Sequence, residues 1–188
     1  MHNPRAYAAP GNRSPAYPWP SSIVLMSAIA QATTSLRLVA GAIIAPLRHP
    51  LLLAKELGTL DLLSGGRLVV LPTVSWSRDE YDALGVPFAE RGAILDEQLE
   101  VLAKSWGPFP ISHDGPRFPF TDVWLEPGAA TPQGPPFWFG GQGMPPHVVR
   151  RIARYGSGLN PFGRLTDADL DALAQGMRDA GRDISELE

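Results

Sequence analysis

The residues best suited to chemistry form a glycine-rich segment, Gly140-Gly141-Gln142-Gly143, which stands between a short apolar run and a predicted helix. The backbone amides of such a segment, together with the dipole of the following helix, can hold a phosphate group. A plain tight turn is the alternative, and the motif by itself favours the turn. Pro145 and Pro146 also lack amide donors, which weakens a phosphate site at the helix start.

Several charged residues could be mistaken for a catalytic cluster: Asp61, Arg67, Glu80, Arg91 and Glu97. We interpret most of them as structural, because buried charges in proteins are normally paired. His49 precedes a helix-opening proline and could face a pocket, but a lone histidine without an oriented partner carries no mechanism. The sequence therefore assigns no general acid or base, and the catalytic residues stay unknown.

Composition excludes several kinds of site. The chain of 188 residues has no cysteine, which removes disulfides, thiolate nucleophiles and cysteine-ligated metals. The four histidines are scattered without HxxxH or HxH spacing, so no metal site is predicted. The net charge of −3 and the absence of a basic stripe argue against nucleic acid as a partner.

The elements that must position these residues alternate between helix and strand. Helices are predicted near 22–32, 51–63, 89–106, 146–155 and 167–180, and strands near 36–44, 67–71, 137–139 and 158–160. Such repeated units predict an α/β fold with a parallel sheet of about four strands. Pro72 is expected to end the second strand. An open doubly wound sheet and a (β/α) barrel both fit this alternation.

The predicted domain organisation is simple. Residues 1–20 hold five prolines and are expected to form an irregular arm, and residues 21–188 form one domain. Residues 107–136 hold eight prolines and are predicted to be an irregular excursion outside the core, with a hairpin around Gly115. Residues 22–32 resemble a signal peptide but are better explained as a buried helix. No apolar run is long enough to span a membrane, so a cytoplasmic protein is expected.

Ordered motifs connect the chain to a known family. The segment from His49 to Arg67 contains Leu60-Asp61-Leu62-Leu63-Ser64-Gly65-Gly66-Arg67 and resembles the signature helix of the bacterial luciferase-like monooxygenases. Residues 80–97, 136–141, 150–156 and 181–183 resemble later family segments in the same order. The resemblance covers about residues 22–188.

The resemblance implies a TIM-type (β/α) barrel that binds F420 or FMN at the carboxyl ends of its strands. Laid against the family, the chain is incomplete at both ends, because the first and last units are missing. The style of the motifs favours F420, with FMN as the alternative. A small-molecule substrate, no membrane partner and a homodimer or higher oligomer are expected, because four strands do not close a barrel.

The resemblance also implies which residues contact the cofactor. Gly41 and Ala42 match a backbone bulge that faces the ring, although a bulge without a ligand is an equal alternative. Thr73, Val74 and Ser75 match the mouth of the next strand, where the family usually alternates glycines. Gly140, Gly141, Gln142 and Gly143 become the phosphate loop. The functional hypothesis is an oxidoreductase or monooxygenase acting on a small organic substrate. The rivals are an inactive truncated barrel that serves as a flavin-binding or structural partner, and an incomplete reading frame.

Overall fold

Helices and strands alternate along residues 20–188, the part of the chain that the computed structural model describes. The predicted arm at 1–20 therefore lies almost entirely outside the described residues. The helices are α1 (Ser22–Ala32), α2 (Pro50–Ser64), α3 (Arg78–Leu84), α4 (Arg91–Lys104), α5 (Pro146–Tyr155) and α6 (Asp167–Asp179). The strands are β1 (Leu38–Ile44), β2 (Leu68–Thr73), β3 (Ile111–His113), β4 (Phe120–Val123), β5 (Phe137–Phe139) and β6 (Gly156–Leu159).

Four of the strands form a parallel sheet in the order β1-β2-β5-β6. Each crossover carries at least one helix, as parallel neighbours require. Since the strands run in one direction, their carboxyl ends meet at a single edge of the sheet. The predicted parallel α/β arrangement is confirmed.

The hydrophobic core lies between this sheet and the helices. Its largest fully buried side chains include Leu53, Leu57 and Leu60 of α2, Leu95, Leu99 and Leu102 of α4, and Ile43 and Leu68 of the sheet. Strand β2 is buried on both faces, which explains its nearly continuous apolar sequence. Strand β1 instead alternates between buried and exposed residues, because one of its faces is uncovered.

The ends of α2 follow directly from the sequence. Pro50 occupies the first turn, and the Nδ1 atom of His49 accepts a hydrogen bond from the Leu51 amide at 3.3 Å. Gly65 ends the helix in the left-handed conformation with φ 65°, where a side chain would be strained. The exposed His49 thus has the structural role that was favoured from the sequence.

Arg67 is a structural clamp and not a catalytic base. Its guanidinium donates hydrogen bonds to the carbonyls of Ala30, Thr33, Leu36 and Ser64 at 2.6–2.9 Å. These bonds tie the end of α1 and the start of β1 to the turn after α2. The structural interpretation of Arg67 agrees with these contacts.

Two sequence-based boundaries need correction. Strand β2 continues through Pro72 to Thr73, because Pro72 lies opposite the register shift between Gly41 and Ile43, where the ladder is already irregular. The excursion at 107–136 is irregular only in part, since β3 and β4 form the expected antiparallel hairpin. Its later part also packs on the core, and the Thr131 amide donates to the buried Asp61 carboxylate at 3.0 Å.

None of the helices within residues 20–188 has the length and apolar character that crossing a bilayer would require.

Candidate functional site

A cavity of about 220 Å³ opens where the carboxyl ends of β2 and β5 meet the start of α5. We call it the strand-end cavity. It is lined by Pro72, Thr73, Val74, Leu95, Phe139, Gly140, Gly141, Gln142, Gly143, Pro145, His147, Val148 and Arg151. The carboxyl edge of a parallel sheet is the usual place for a ligand in α/β proteins.

Six of the nine predicted cofactor residues line this cavity: Thr73, Val74 and the four residues of the glycine loop, Gly140–Gly143. The other three, Gly41, Ala42 and Ser75, are not in its lining. The structure therefore brings the phosphate-type loop and the mouth of β2 together. Contact of any of these residues with a cofactor stays a prediction.

The glycine loop has the free donors that an anion needs. Within residues 20–188, the amides of Gly141, Gln142 and Gly143 donate no hydrogen bond. Each of these three residues is at least partly exposed. The next amide, that of Met144, is already taken, because it donates to the Asp169 carboxylate at 2.8 Å. With Pro145 and Pro146 following, the loop amides are the main backbone donors on this side of the cavity.

Arg151 is the main positive group of the cavity, and the sequence analysis gave it no role. It is 8% exposed, and its Nε atom donates to Asp96 at 2.7 Å while Nη2 donates to the Gly92 carbonyl at 3.0 Å. These bonds hold the guanidinium against α4, and Arg151 lines the same cavity as the glycine loop. A fixed guanidinium and free amides in the lining of one cavity are groups suited to a phosphate.

His147 lies one helical turn before Arg151 and also lines the cavity. Partial burial, followed by the positive charges of Arg151 and Arg150, lowers the pKa of His147. The imidazole is therefore mainly neutral at pH 7. The sequence carried a usable signal for both residues, because positions four apart on a helix share one face and this helix directly follows the glycine loop.

The mouth of β2 is held from below by α3. The Tyr81 hydroxyl donates a hydrogen bond to the Val74 carbonyl, and burial raises the pKa of Tyr81 to about 12. The Ser75 hydroxyl donates to Glu80 at 2.9 Å and accepts from the Ser77 amide at 3.3 Å. The Ser75 hydroxyl is thus bonded to residues at the start of α3. These bonds explain why Ser75 does not line the cavity.

Gly41 and Ala42 lie at a true irregularity of β1. The register against β2 shifts between Gly41 and Ile43, which agrees with the predicted bulge. Gly41 and Ala42 are both exposed. A Cβ atom on Gly41 would have only ordinary contacts, the nearest at 3.6 Å from Leu71. The bulge is present, and its role towards a ring stays a prediction.

A larger groove of about 870 Å³ lies elsewhere, between α5 and α6. Its lining is mainly apolar and belongs to the outer helical layer, away from the strand ends. Because no residue of the described strands lines this groove, and ligands of parallel α/β proteins bind at the carboxyl ends of the strands, we place the functional site at the smaller strand-end cavity.

Comparison with known proteins agrees with this geometry. The chain matches the luciferase-like monooxygenase family over residues 5–188. An uncharacterized protein of Mycobacterium tuberculosis is 33% identical over 171 residues, which are 88% of this chain and 57% of that protein. The chain therefore belongs to the luciferase-like monooxygenase family, as the motifs indicated.

Solved structures confirm the barrel-type fold. The monooxygenase RslO1 from Streptomyces bottropensis superposes with a TM-score of 0.78 at 26% identity, over 87% of this chain and 51% of that one. The F420-dependent tetrahydromethanopterin reductase of Methanopyrus kandleri gives 0.73 at 21% identity, over 89% and 52%. The oxygenating constituent of 3,6-diketocamphane monooxygenase of Pseudomonas putida, in complex with FMN, gives 0.72 at 18%, over 89% and 51%. The last two show the fold alone, and the chain spans about half the length of these proteins.

Proposed function

We propose that this chain forms the phosphate-binding side of a luciferase-like oxidoreductase that uses F420, with FMN as the alternative cofactor. The observation that carries the proposal is the meeting of three free loop amides, at Gly141, Gln142 and Gly143, with the buried Arg151 in one cavity. Backbone amides and a guanidinium are the groups that proteins use to hold phosphates.

The size of the strand-end cavity fits a phosphate group and not a whole cofactor. Its volume of about 220 Å³ is below the roughly 300–1,000 Å³ of sites that enclose an entire ligand of this class. The phosphorylated end of the cofactor would be held by the glycine loop and Arg151. The ring would belong at the mouths of the neighbouring strands, where Thr73 and Val74 lie.

A bound F420 or FMN supplies hydride transfer to, or oxygenation of, a small organic substrate. The residues of this chain bind and orient it. The glycine loop donates amide hydrogen bonds, and Arg151 neutralises phosphate charge while Asp96 keeps its guanidinium in place. Tyr81 fixes the carbonyl of Val74 at the mouth of β2. No residue of the described chain is assigned as a proton donor or acceptor for the reaction.

F420 is our first choice because the motifs have the style of the F420-using branch, and the F420-dependent reductase shares the fold. FMN is kept because a protein of the same fold was solved in complex with it. Both cofactors carry a phosphate, so the loop amides and Arg151 serve either one.

A second candidate function is an inactive partner subunit that binds a flavin or supports a longer relative. One observation favours it. Leu71, Thr73 and Ser75 stand at positions where the family resembled by this chain usually has glycines. Cofactor binding without turnover of any substrate would distinguish this candidate from the enzyme.

The test is a fluorescence titration of the purified chain with FMN against riboflavin, and with F420 against the deazaflavin that lacks the phosphate. We expect the phosphorylated form to bind more tightly in at least one pair. Arg151→Met should weaken binding of that form by about 10- to 100-fold and leave the phosphate-free form nearly unchanged, since one charge-assisted hydrogen bond is removed.

Arg150→Met is the matched control, because Arg150 is the neighbouring arginine of α5 with a side chain 64% exposed. It should bind like the unaltered chain. Failure of all four compounds to bind at tens of micromolar would contradict the proposed function. Equal affinity for the phosphorylated and phosphate-free forms would contradict the assignment of the loop.

A further inference from the structure

The glycine loop is held in place by the connection between β6 and α6. Three contacts reach it from residues 160–169. The Phe162 amide donates to the Gly141 carbonyl at 3.0 Å, and the Met144 amide donates to Asp169 Oδ1 at 2.8 Å. Gly140 packs so closely on the Asn160 carbonyl that a Cβ atom there would overlap it. The conformation of the loop therefore depends on the following strand–helix unit.

Asp169 has a double role in this connection. Its Oδ2 atom accepts hydrogen bonds from the Thr166 amide at 3.0 Å and the Thr166 hydroxyl at 2.6 Å, which completes the capping box of α6. Its Oδ1 atom accepts the bond from Met144. These bonds from Thr166 and then Met144 lower the pKa of Asp169, so its carboxylate stays charged at neutral pH. One side chain thus joins the start of α6 to the end of the glycine loop.

The loop needs such an anchor. It holds three glycines, and Gly143 adopts φ 79° with Asp169 Oδ1 only 3.1 Å from the position of a Cβ atom. Glycine-rich segments lose much conformational entropy when they are ordered. If the loop is ordered before an anion arrives, less of the binding free energy is spent on ordering it.

We infer that Asp169 is a positioning residue for the phosphate loop: it orders Gly141–Gly143 through Met144 and so sets the affinity of the strand-end cavity for a phosphorylated ligand. This inference rests on the proposed function. It adds that a residue outside the cavity lining, on the next helix, controls phosphate recognition.

The test compares Asp169→Ala with Asp169→Asn and Asp167→Ala. Asparagine keeps an oxygen that accepts the Met144 bond and removes the charge. Asp167 is an exposed acid in the same first turn of α6, so its removal changes the charge near the loop without breaking the bond. Two quantities are measured in each variant: amide hydrogen exchange of residues 141–144 in the ligand-free chain, and the ratio of riboflavin to FMN dissociation constants.

We expect Asp169→Ala to speed amide exchange at Met144. The ratio of riboflavin to FMN dissociation constants should fall by about five- to tenfold, which corresponds to the loss of one hydrogen bond. Riboflavin affinity should not change, which separates positioning from general loss of structure. Asp169→Asn should restore most of the preference, and Asp167→Ala should behave like the unaltered chain.

Unchanged exchange at Met144 in Asp169→Ala would overturn the inference whether or not a flavin binds. Tighter FMN binding in both Asp169 variants would also overturn it, because the carboxylate would then act only by repelling the phosphate. If the unaltered chain binds neither FMN nor F420, nor their phosphate-free forms, while exchange responds as expected, the proposed function fails and the anchoring role of Asp169 stands.

Discussion

Glu97 shows how a charged residue can be buried without taking part in chemistry. Its carboxylate is 7% exposed and accepts hydrogen bonds from the amides of Arg117 and Phe118, both at 2.9 Å, and from the Arg117 guanidinium at 3.3 Å. Burial raises the pKa of Glu97, but these donors together with His113 outweigh it and the pKa is lowered. The carboxylate thus fastens the β3–β4 hairpin to α4.

This network predicts an acid limit to stability. A carboxyl group with a lowered pKa in the folded state stabilises the fold above its unfolded pKa, and that stability is lost as the pH falls through the folded value. We expect Glu97→Gln to reduce the free energy of unfolding by about 2 kcal/mol at pH 7. The difference from the unaltered chain should shrink below about pH 4, measured by urea denaturation across pH.

Glu100→Gln is the control for this prediction, because Glu100 lies on the same helix and pairs with the exposed Arg154. It should cost less than about 1 kcal/mol, as exposed ion pairs do. A loss for Glu97→Gln that is equally large at pH 3 and pH 7 would contradict the ionic role of the carboxylate.

Single-residue roles were predictable where they depended on nearby sequence. The structural interpretation of Arg67 follows from its place beside the cap of a helix, and that of His49 from the lack of an oriented partner; local hydrogen bonds agree with both. Arg151 was missed because its role depends on Asp96 and Gly92, more than fifty positions earlier. Helical spacing indicates that Arg151 shares a face with His147, but only the packing of α5 on α4 brings Asp96 and Gly92 to its guanidinium.

At the scale of elements, the close contact between the glycine loop and the β6–α6 connection yields a steric prediction. A methyl group at Gly140 would overlap the carbonyl oxygen of Asn160. This oxygen belongs to the backbone, so it cannot move aside as the end of a flexible side chain could. Gly140→Ala should therefore destabilise the chain by about 1–3 kcal/mol and weaken the preference for FMN, measured by denaturation and by the riboflavin and FMN titration.

Gly141→Ala is the matched control for stability alone, because nothing lies within 4 Å of a Cβ atom at that position. It should change the free energy of unfolding by less than about 1 kcal/mol. If both substitutions have equal effects, the cost arises from the backbone freedom of glycine and not from the contact with Asn160.

Element types and order were predictable because apolar periodicity, capping residues and breakers are local signals. The helix predicted from Asp167 is one example, since the Thr166 side chain caps it in the structure. The predicted end of β2 is wrong, because the effect of Pro72 depends on the strand beside it and not on the proline alone. Its tolerance comes from the bulge in β1, a strand thirty residues earlier, so the neighbour in the sheet decides the boundary.

At the scale of the whole molecule, the exposed edge of strand β1 is the feature that bears on association with other chains. Within residues 20–188, β1 pairs only with β2, so its other edge presents unpaired backbone groups. Val39 on this strand is 43% exposed and Leu36 just before it is 56% exposed. An exposed apolar edge strand promotes pairing with another chain.

We therefore expect the chain to self-associate, and Val39→Lys to oppose this. A lysine on an edge strand disfavours strand pairing because its charge must then be buried. Light scattering over a concentration series should show a dimer or larger species for the unaltered chain. For Val39→Lys the concentration of half-dissociation should be at least about tenfold higher.

Val24→Lys is the control, since Val24 is 71% exposed on α1 and lies outside the sheet. It should associate like the unaltered chain, because an edge mechanism depends on β1 and not on exposed apolar surface in general. Equal weakening by both substitutions would assign the contact to nonspecific hydrophobic association. A monomeric mass for the unaltered chain at every concentration would show that the open edge is not used between copies, and the mouth of β1 beside Gly41 would then be accessible to a cofactor ring in the isolated chain.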